Sequence, residues 1–361
     1  MARDEIEIGG RAIGARHAPF AIAEMSGNHN GSLERALRLV DAAADAGAHA
    51  LKIQTYTADT MTLDLHRGEF MVADDGTSPW GGRTLYSLYQ EAHTPWEWHA
   101  AIFERCRARG LVGFSAPFDP TAVDFLETLD VPCYKIASFE NVDLPLIRRV
   151  AATRKPMIIS TGLANLREIA EAVEAARGGG CKELILLKCT SAYPADPRHS
   201  NLATIPYLRS MFRCEVGISD HTPGIGAAVA AAAIGAVVIE KHLTLSRADG
   251  GVDSTFSLEP HEFAQLVTES VRAVESIGAV EFDRSEAETA SLQFRRSLYV
   301  VRDVAQGEPF SAENVRAIRP GRGLPPKFVD VVLGRRAARA VEKGTPVTWE
   351  LLGSPVSASP G

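Results

Sequence analysis

Two imidazoles carry the first chemical signal in this sequence. His221 closes the stretch GISDH, and His242 closes IEKH 21 residues later. Each follows a short apolar run, EVGIS or VVIE, and the small-residue segment GIGAAVAAAAIGA lies between them. Two histidines at the ends of neighbouring strands could hold a divalent metal with positions left open for water and substrate. The plainer alternative is that each makes a hydrogen bond to a ligand or to a core acceptor.

Other polar residues end or follow similar apolar runs. Glu24 ends one, Lys52 and Gln54 lie in LKIQ, Lys135 and Ser138 in YKIAS, and Ser160 and Thr161 end IIST. Tyr193 follows ELILLK, and Ser219 and Asp220 precede His221. An ammonium inside a strand needs a partner if it is to be buried. Two lysines and several hydroxyls converging on one mouth suit a phosphate and a carboxylate together.

Such convergence needs a scaffold that brings strand ends side by side. The apolar runs PFAIAEM, ALKIQTY, LVGFSAPF, CYKIAS, PMIIS, ELILLK, EVGIS and VVIEKH number eight and alternate with helix-period segments. Continuous apolar strands between amphipathic helices predict a parallel sheet covered on both faces. Eight units predict an α/β fold, a (β/α)8 TIM barrel, which takes roughly 250 residues and carries its active site at the strand C-termini. His221 and His242 then share one rim.

The helices have their own signals. Leu33, Ala36, Leu37 and Val40 fall at helical spacing between the N-cap Ser32 and the terminator Gly47. Asn165 and Glu168 form a capping-box pair, and Pro260 starts a helix striped by Phe263, Leu266, Val267, Val271 and Val274. Residues 57–94 exceed an ordinary strand-to-helix loop and carry Trp80, Tyr86 and Tyr89, as a pocket-shaping excursion does. The expected division is a barrel over 1–280, a polar linker over 281–293, a small β-rich domain over 294–354 and a tail over 355–361.

The 361 residues hold 38 basic and 45 acidic side chains, a net charge of −7, which argues against nucleic acid or a membrane surface as partner. No apolar run reaches the ~20 residues of a membrane span. Five scattered cysteines without a metal-finger spacing, and a first stretch MARDEIEIGGRAIG without an apolar signal region, predict a reduced, cytoplasmic protein.

Taken in order, IAEMSGNHNGS, KIQTYT, FSAPFD, YKIASFE, IISTG, LKCTSAYP, GISDHT, IEKHLT and RPGRG resemble the sialic acid synthase family over nearly the whole chain. KIQTYTADT, TPWEW and SRADGGVDSTFSLEP are most similar to its pseudaminic acid synthase branch, and the C-terminal segment to the antifreeze-like, or SAF, domain of these enzymes. The resemblance implies condensation of phosphoenolpyruvate with an amino-sugar aldehyde, 2,4-diacetamido-2,4,6-trideoxy-L-altrose in that branch. It implies Mn2+ or Mg2+ on His221 and His242. Lys52, Lys135, Ser138, Ser160, Ser191 and Ser219 would then face phosphoenolpyruvate, and Glu24, Glu140, Tyr193 and Asp253 the sugar or the proton transfers. Arg319, in RPGRG, would reach a partner's sugar across a domain-swapped homodimer.

Three positions depart from the family pattern. Ala116 and Ser191 stand where neuraminic acid synthases place threonine and asparagine, and Val252 precedes Asp253 where proline is usual. Other readings of the same residues are a synthase of N-acetylneuraminic or legionaminic acid, a Schiff-base aldolase using Lys52, Lys135 or Lys241, and a carbohydrate-binding protein.

Overall fold

Burial on both faces leaves the eight apolar runs no solvent side, and they pair as parallel strands. In the computed structural model, which describes residues 5–74, 76 and 79–355, they form a closed barrel. An antiparallel hairpin, β1 (Ile6–Ile8) and β2 (Arg11–Ile13), precedes it. The barrel strands are β3 (Phe20–Glu24), β4 (Ala50–Thr55), β5 (Val112–Pro117), β6 (Tyr134–Ile136), β7 (Met157–Ser160), β8 (Leu184–Cys189), β9 (Glu215–Asp220) and β10 (Val238–His242). They pair in chain order, and β10 closes on β3.

The hairpin was not expected, because three-residue arms are too short to display an alternation. It buries Ile6, Ile8 and Ile13 against Phe20, Ile22, Phe114, Ile158 and Ile185, the inward residues near the strand starts. The N-terminal mouth of the barrel is therefore plugged with hydrocarbon.

Helix Leu33–Asp45 starts at Ser32, whose hydroxyl accepts the Arg35 N–H, and ends before Gly47 at φ +79°, a backbone that glycine adopts without strain. Its fully buried stripe is Ala36, Leu39, Val40 and Ala43, rotated from the expected one, so that Leu33 and Leu37 only flank the core. Helix Pro260–Ile277 buries Phe263 and Leu266 with Ser270, while Val267 and Val274 pack at its margin. Asn165 and Glu168 make the expected capping box.

The chain divides into two compact units, Met1–Gly278 and Ala279–Gly361. In the second, β11 (Ser297–Val300) pairs with β12 (Val315–Ile318), and β13 (Arg335–Ala337) with β14 (Leu352–Pro355), all antiparallel. Leu298, Val300, Phe310, Val315, Val332 and Val347 form its own core. The polar stretch before it contains a helical turn, Glu286–Thr289, opened by a Ser285 and Glu288 capping box. Residues 1–4 of the expected barrel span and 356–361 of the expected tail lie outside the described residues. All five cysteines are free thiols, and among the described residues no helix is long and apolar enough to cross a membrane.

Candidate active site

Side chains of a strand alternate between faces, so each polar group that follows an inward apolar residue by two lies above it in the barrel. Lys52 follows Ala50, Lys135 follows Cys133, Ser160 follows Ile158, and Glu240 follows Val238. Above these come Gln54 on β4 and His242 on β10, with His221 one residue beyond β9. Period two thus stacks a polar floor on an apolar base.

Lys52 is 3% exposed, and its Nζ lies 3.0 Å from Glu24 Oε2 and 3.4 Å from Glu240 Oε1. Burial pulls its pKa down, but the two carboxylates outweigh burial and hold it above the ordinary lysine value. Burial raises Glu24 despite Lys52, whereas for Glu240 burial loses to Lys135, Lys52 and the Ser219 hydroxyl, which donates to Oε1 at 3.1 Å, and its pKa falls. Lys135 is in a different position. Its Nζ donates to Ser160 Oγ (2.6 Å) and to the Ile136 carbonyl (2.8 Å), and burial pulls its pKa down to about 8.

Beside Lys135 the side chains of Ser138 and Ser191 crowd against Gly162. A Cβ added at Gly162 would stand 2.1 Å from Ser191 Oγ and 2.6 Å from Ser138 Oγ, so a larger residue here would displace both hydroxyls. Asn141 fixes this corner by donating to the carbonyls of Ser160 (3.2 Å) and Gly162 (2.9 Å). Ser138 was expected inside the fourth strand, but β6 ends at Ile136 and Ser138 opens the 3-10 turn Ser138–Glu140. Likewise β7 ends at Ser160, and Thr161 follows it. Ala116 points only a buried methyl inward at this level.

The two imidazoles meet above this floor with ring centroids 5.3 Å apart. His221 Nδ1 lies 3.1 Å from the Thr190 carbonyl, to which it donates, and although burial pulls the His221 pKa down, Cys189 and that carbonyl outweigh burial and hold it above the usual histidine value. His242 Nδ1 is buried with no hydrogen-bond partner, 4.0 Å from Asp253 Oδ2, and burial with nearby His221 pushes its pKa well below the usual value. Two imidazoles facing one another, one of them with an orphaned buried nitrogen, fit a cation held by two histidines. Among the described residues no group of three or more His, Cys, Asp or Glu side chains is arranged to hold a metal alone.

A chamber of about 430 Å3 opens beside His242. The 57–94 excursion walls it with Met61, Val72, Trp80, Leu85, Leu88 and Tyr89, while Tyr86 points elsewhere and bonds Asp59. Tyr193 lies tilted beside His221 (4.5 Å between centroids) and Phe256 lies edge-to-face with His242 (5.0 Å). Glu140, Tyr193 and Asp253 line the chamber, and burial raises the Glu140 pKa to about 7. The loop carrying Val252 is held although proline is missing, because the Trp80 indole donates to the Val252 carbonyl at 2.7 Å.

Comparison with known proteins now bears on this barrel. The NeuB family profile matches residues 39–281, and a SAF domain profile matches 295–353. The chain belongs to the NeuB family. It is 44% identical over 325 residues to the pseudaminic acid synthase of Campylobacter jejuni serotype O:23/36, covering 90% of this chain and 94% of that one. It is 40% identical over 332 residues to the pseudaminic acid synthase of Helicobacter pylori, covering 91% and 96%. The crystal structure of an N-acetylneuraminic acid synthetase from Leptospira borgpetersenii, in complex with citrate, superposes with a TM-score of 0.70 at 32% identity, covering 81% of this chain and 96% of that one. NeuB family relatives are enzymes that form a carbon–carbon bond, and the chain is an enzyme of that class.

The barrel of this NeuB family member brings Glu24, Lys52, Lys135, Ser138, Ser160, Ser191, Ser219, His221 and His242 to one end, with Glu140, Tyr193 and Asp253 above them. Arg319 lies in the other unit, exposed, one residue past β12. Sequence reasoning missed Glu240, Gly162, Asn141 and Phe256. For Glu240 a signal existed, since it stands two residues before His242 and so shares its face.

Proposed function

We propose that this protein condenses phosphoenolpyruvate with 2,4-diacetamido-2,4,6-trideoxy-L-altrose and water, giving pseudaminic acid and phosphate, as a cytoplasmic enzyme. The observation that carries this reading is the contrast between two adjoining volumes. The floor offers two ammonium groups and several hydroxyls, whereas none of the residues lining the chamber is lysine or arginine. A small trianionic enol ester suits the floor. A neutral sugar with a deoxy end and two acetamido methyls suits an aromatic and aliphatic chamber, and a sugar phosphate there would face Glu140 and Asp253. The relatives named pseudaminic acid synthase at 40% and 44% identity support the same substrate.

In this scheme Lys52 and Lys135, with Ser138, Ser160, Ser191 and Ser219, hold the phosphoenolpyruvate anion with its C3 towards the chamber. The enol π electrons form the new bond from C3 to the aldehyde carbon, and water adds at C2. The bond from C2 to the phosphate ester oxygen then breaks, phosphate leaving with the electron pair, and the added hydroxyl gives up its proton to become the C2 ketone. A divalent cation, Mn2+ or Mg2+, on His221 and His242 supplies Lewis acidity for the aldehyde oxygen. Glu140, with a pKa near 7, is suited to pass a proton to that oxygen, and Asp253 and Tyr193 orient the sugar. Glu24 keeps Lys52 aimed inward.

Incubation with phosphoenolpyruvate and a panel of aldehydes, scored by phosphate release and product mass, tests the substrate. The altrose derivative is expected to exceed N-acetylmannosamine in kcat/KM by about 100-fold, with the 6-phosphate of the latter slower still. Preference for the 6-phosphate would overturn the reading.

The homodimer is proposed to be domain-swapped, Arg319 serving the neighbouring barrel. Mixing inactive His221→Ala and Arg319→Ala proteins under subunit exchange then creates one intact site in each mixed dimer. With random exchange about a quarter of all sites recover. No recovery despite demonstrated exchange rules the swap out.

A further inference from the structure

One pair of buried charges has no part in the scheme above. Lys241 and Asp220 are register partners on β10 and β9, and their side chains are 0% and 2% exposed. Strand alternation sends them to the outer face of the barrel, since Ser219 and Glu240, one residue back along each strand, meet inside it. Lys241 Nζ lies 2.6 Å from Asp220 Oδ2 and donates at 2.6 Å to the Thr222 carbonyl. Asp220 Oδ1 in turn accepts the Thr222 N–H at 2.9 Å.

The residues so gripped stand on either side of His221, and the residue that grips them is the chain neighbour of His242. One ammonium thus ties together the backbone stations of both imidazoles. Stability alone does not account for such a pair, because hydrophobic residues of similar volume commonly serve as well or better than a buried ion pair. Hydrocarbon, however, has no direction and could not fix the 220–222 turn at three points. Full burial also keeps any substrate carbonyl from the Lys241 amine, which removes it as a Schiff-base nucleophile.

We infer that Lys241 and Asp220 are positioning residues, which set His221 against His242 at the separation a divalent cation requires. The inference rests on the reading that these histidines hold that cation. The pair touches neither cation nor substrate, and its effect passes through the turn.

The test is Mn2+ binding to the purified protein without substrates, measured by calorimetry and by the electron paramagnetic resonance signal of free Mn2+. Asp220→Asn keeps an acceptor for Thr222, and the double variant Asp220→Leu with Lys241→Met removes both charges together, so that neither is left buried alone. The double variant is expected to melt at or near the temperature of the parent, yet to bind Mn2+ about 10–100-fold more weakly, the usual reach of groups that orient metal ligands. Asp220→Asn should show a smaller loss in the same direction. At saturating Mn2+ the KM for phosphoenolpyruvate should stay within about threefold of the parent. Parental Mn2+ affinity in a folded double variant would overturn the inference. His221→Ala serves as the control for the premise: if it binds Mn2+ as tightly as the parent, the two-histidine reading falls, whatever the pair does.

Discussion

His242→Ala is expected to lower turnover by about a thousandfold and to abolish Mn2+ binding while leaving the barrel folded. Loss of a Lewis acid worth several kcal/mol at the developing oxyanion sets that scale, since about 4 kcal/mol is three decades of rate. Stability should change little, by about 1 kcal/mol. The imidazole is the last residue of β10, so its removal leaves the ladder intact, and it takes away a buried nitrogen that has no hydrogen-bond partner. The lost packing against Phe256 and His221 is the opposing cost. Melting curves separate the two effects, and full turnover of His242→Ala in excess chelator would sink the assignment. If the imidazole only donates or accepts a hydrogen bond, His242→Gln should retain activity, which distinguishes that case from ligation.

The second large effect is a pair of opposite signs. Lys135→Met and Lys52→Met should each raise the KM for phosphoenolpyruvate by about 100-fold, with the KM for the sugar little changed, because methionine keeps the stem's packing and loses only the charge. In thermal stability at pH 7 they should diverge. A lysine whose folded pKa is depressed contributes stability above its unfolded value of 10.5, and that stability is lost as pH falls through the folded value of about 8. At pH 7 the Lys135 ammonium therefore weighs against folding by roughly 3 kcal/mol, and Lys135→Met should melt higher than the parent. That advantage should shrink as pH rises from 8 towards 10.5.

Lys52 has a raised pKa, so its contribution is present below 10.5 and is lost only above the folded value. Lys52→Met leaves Glu24 and Glu240 facing one another without the cation between them, at a cost of about 3–5 kcal/mol. Loss of the Lys135 charge above pH 8 should also raise the parent's KM for phosphoenolpyruvate, and that alkaline limb should be missing in Lys135→Met. A lower melting temperature for Lys135→Met at pH 7, or an equal effect on both substrates, would count against the assignment.

The eight strands were legible because burial on both faces writes an unbroken apolar run, and the rim followed from the geometry of the fold. Contacts between segments far apart in the chain were not legible. Nothing near Gly162 says that Ser138 and Ser191 close on it, and Asn141 looks like an ordinary loop residue until its amide is seen to hold two carbonyls of another strand end. Lys241 looked like a candidate amine because a buried lysine in a strand suggests chemistry. Its partner lay one position before a histidine already singled out, and only the register of β9 and β10 joins them. The stripe of the first helix was misplaced by its leucines, since alanines at the barrel contact leave a weaker periodic signal than the larger residues flanking them.

The hydrocarbon plug of Ile6, Ile8 and Ile13 closes the N-terminal end of the barrel, so the polar floor faces the other end. Lys52 lies two residues below Gln54, and Glu240 two below His242, so the anion floor lies beneath the chamber that Gln54 and His242 line. A floor below a chamber favours an order of traffic. In the proposed scheme the enol ester would descend before the sugar covers it, and phosphate, formed at the bottom, would leave after the nine-carbon acid above it. Confinement keeps the reactive C2 centre from bulk water during the step that needs a single water molecule. In that scheme the last product out would also be a competitor for the first substrate in, and the pace of the cycle would be coupled to how quickly phosphate clears.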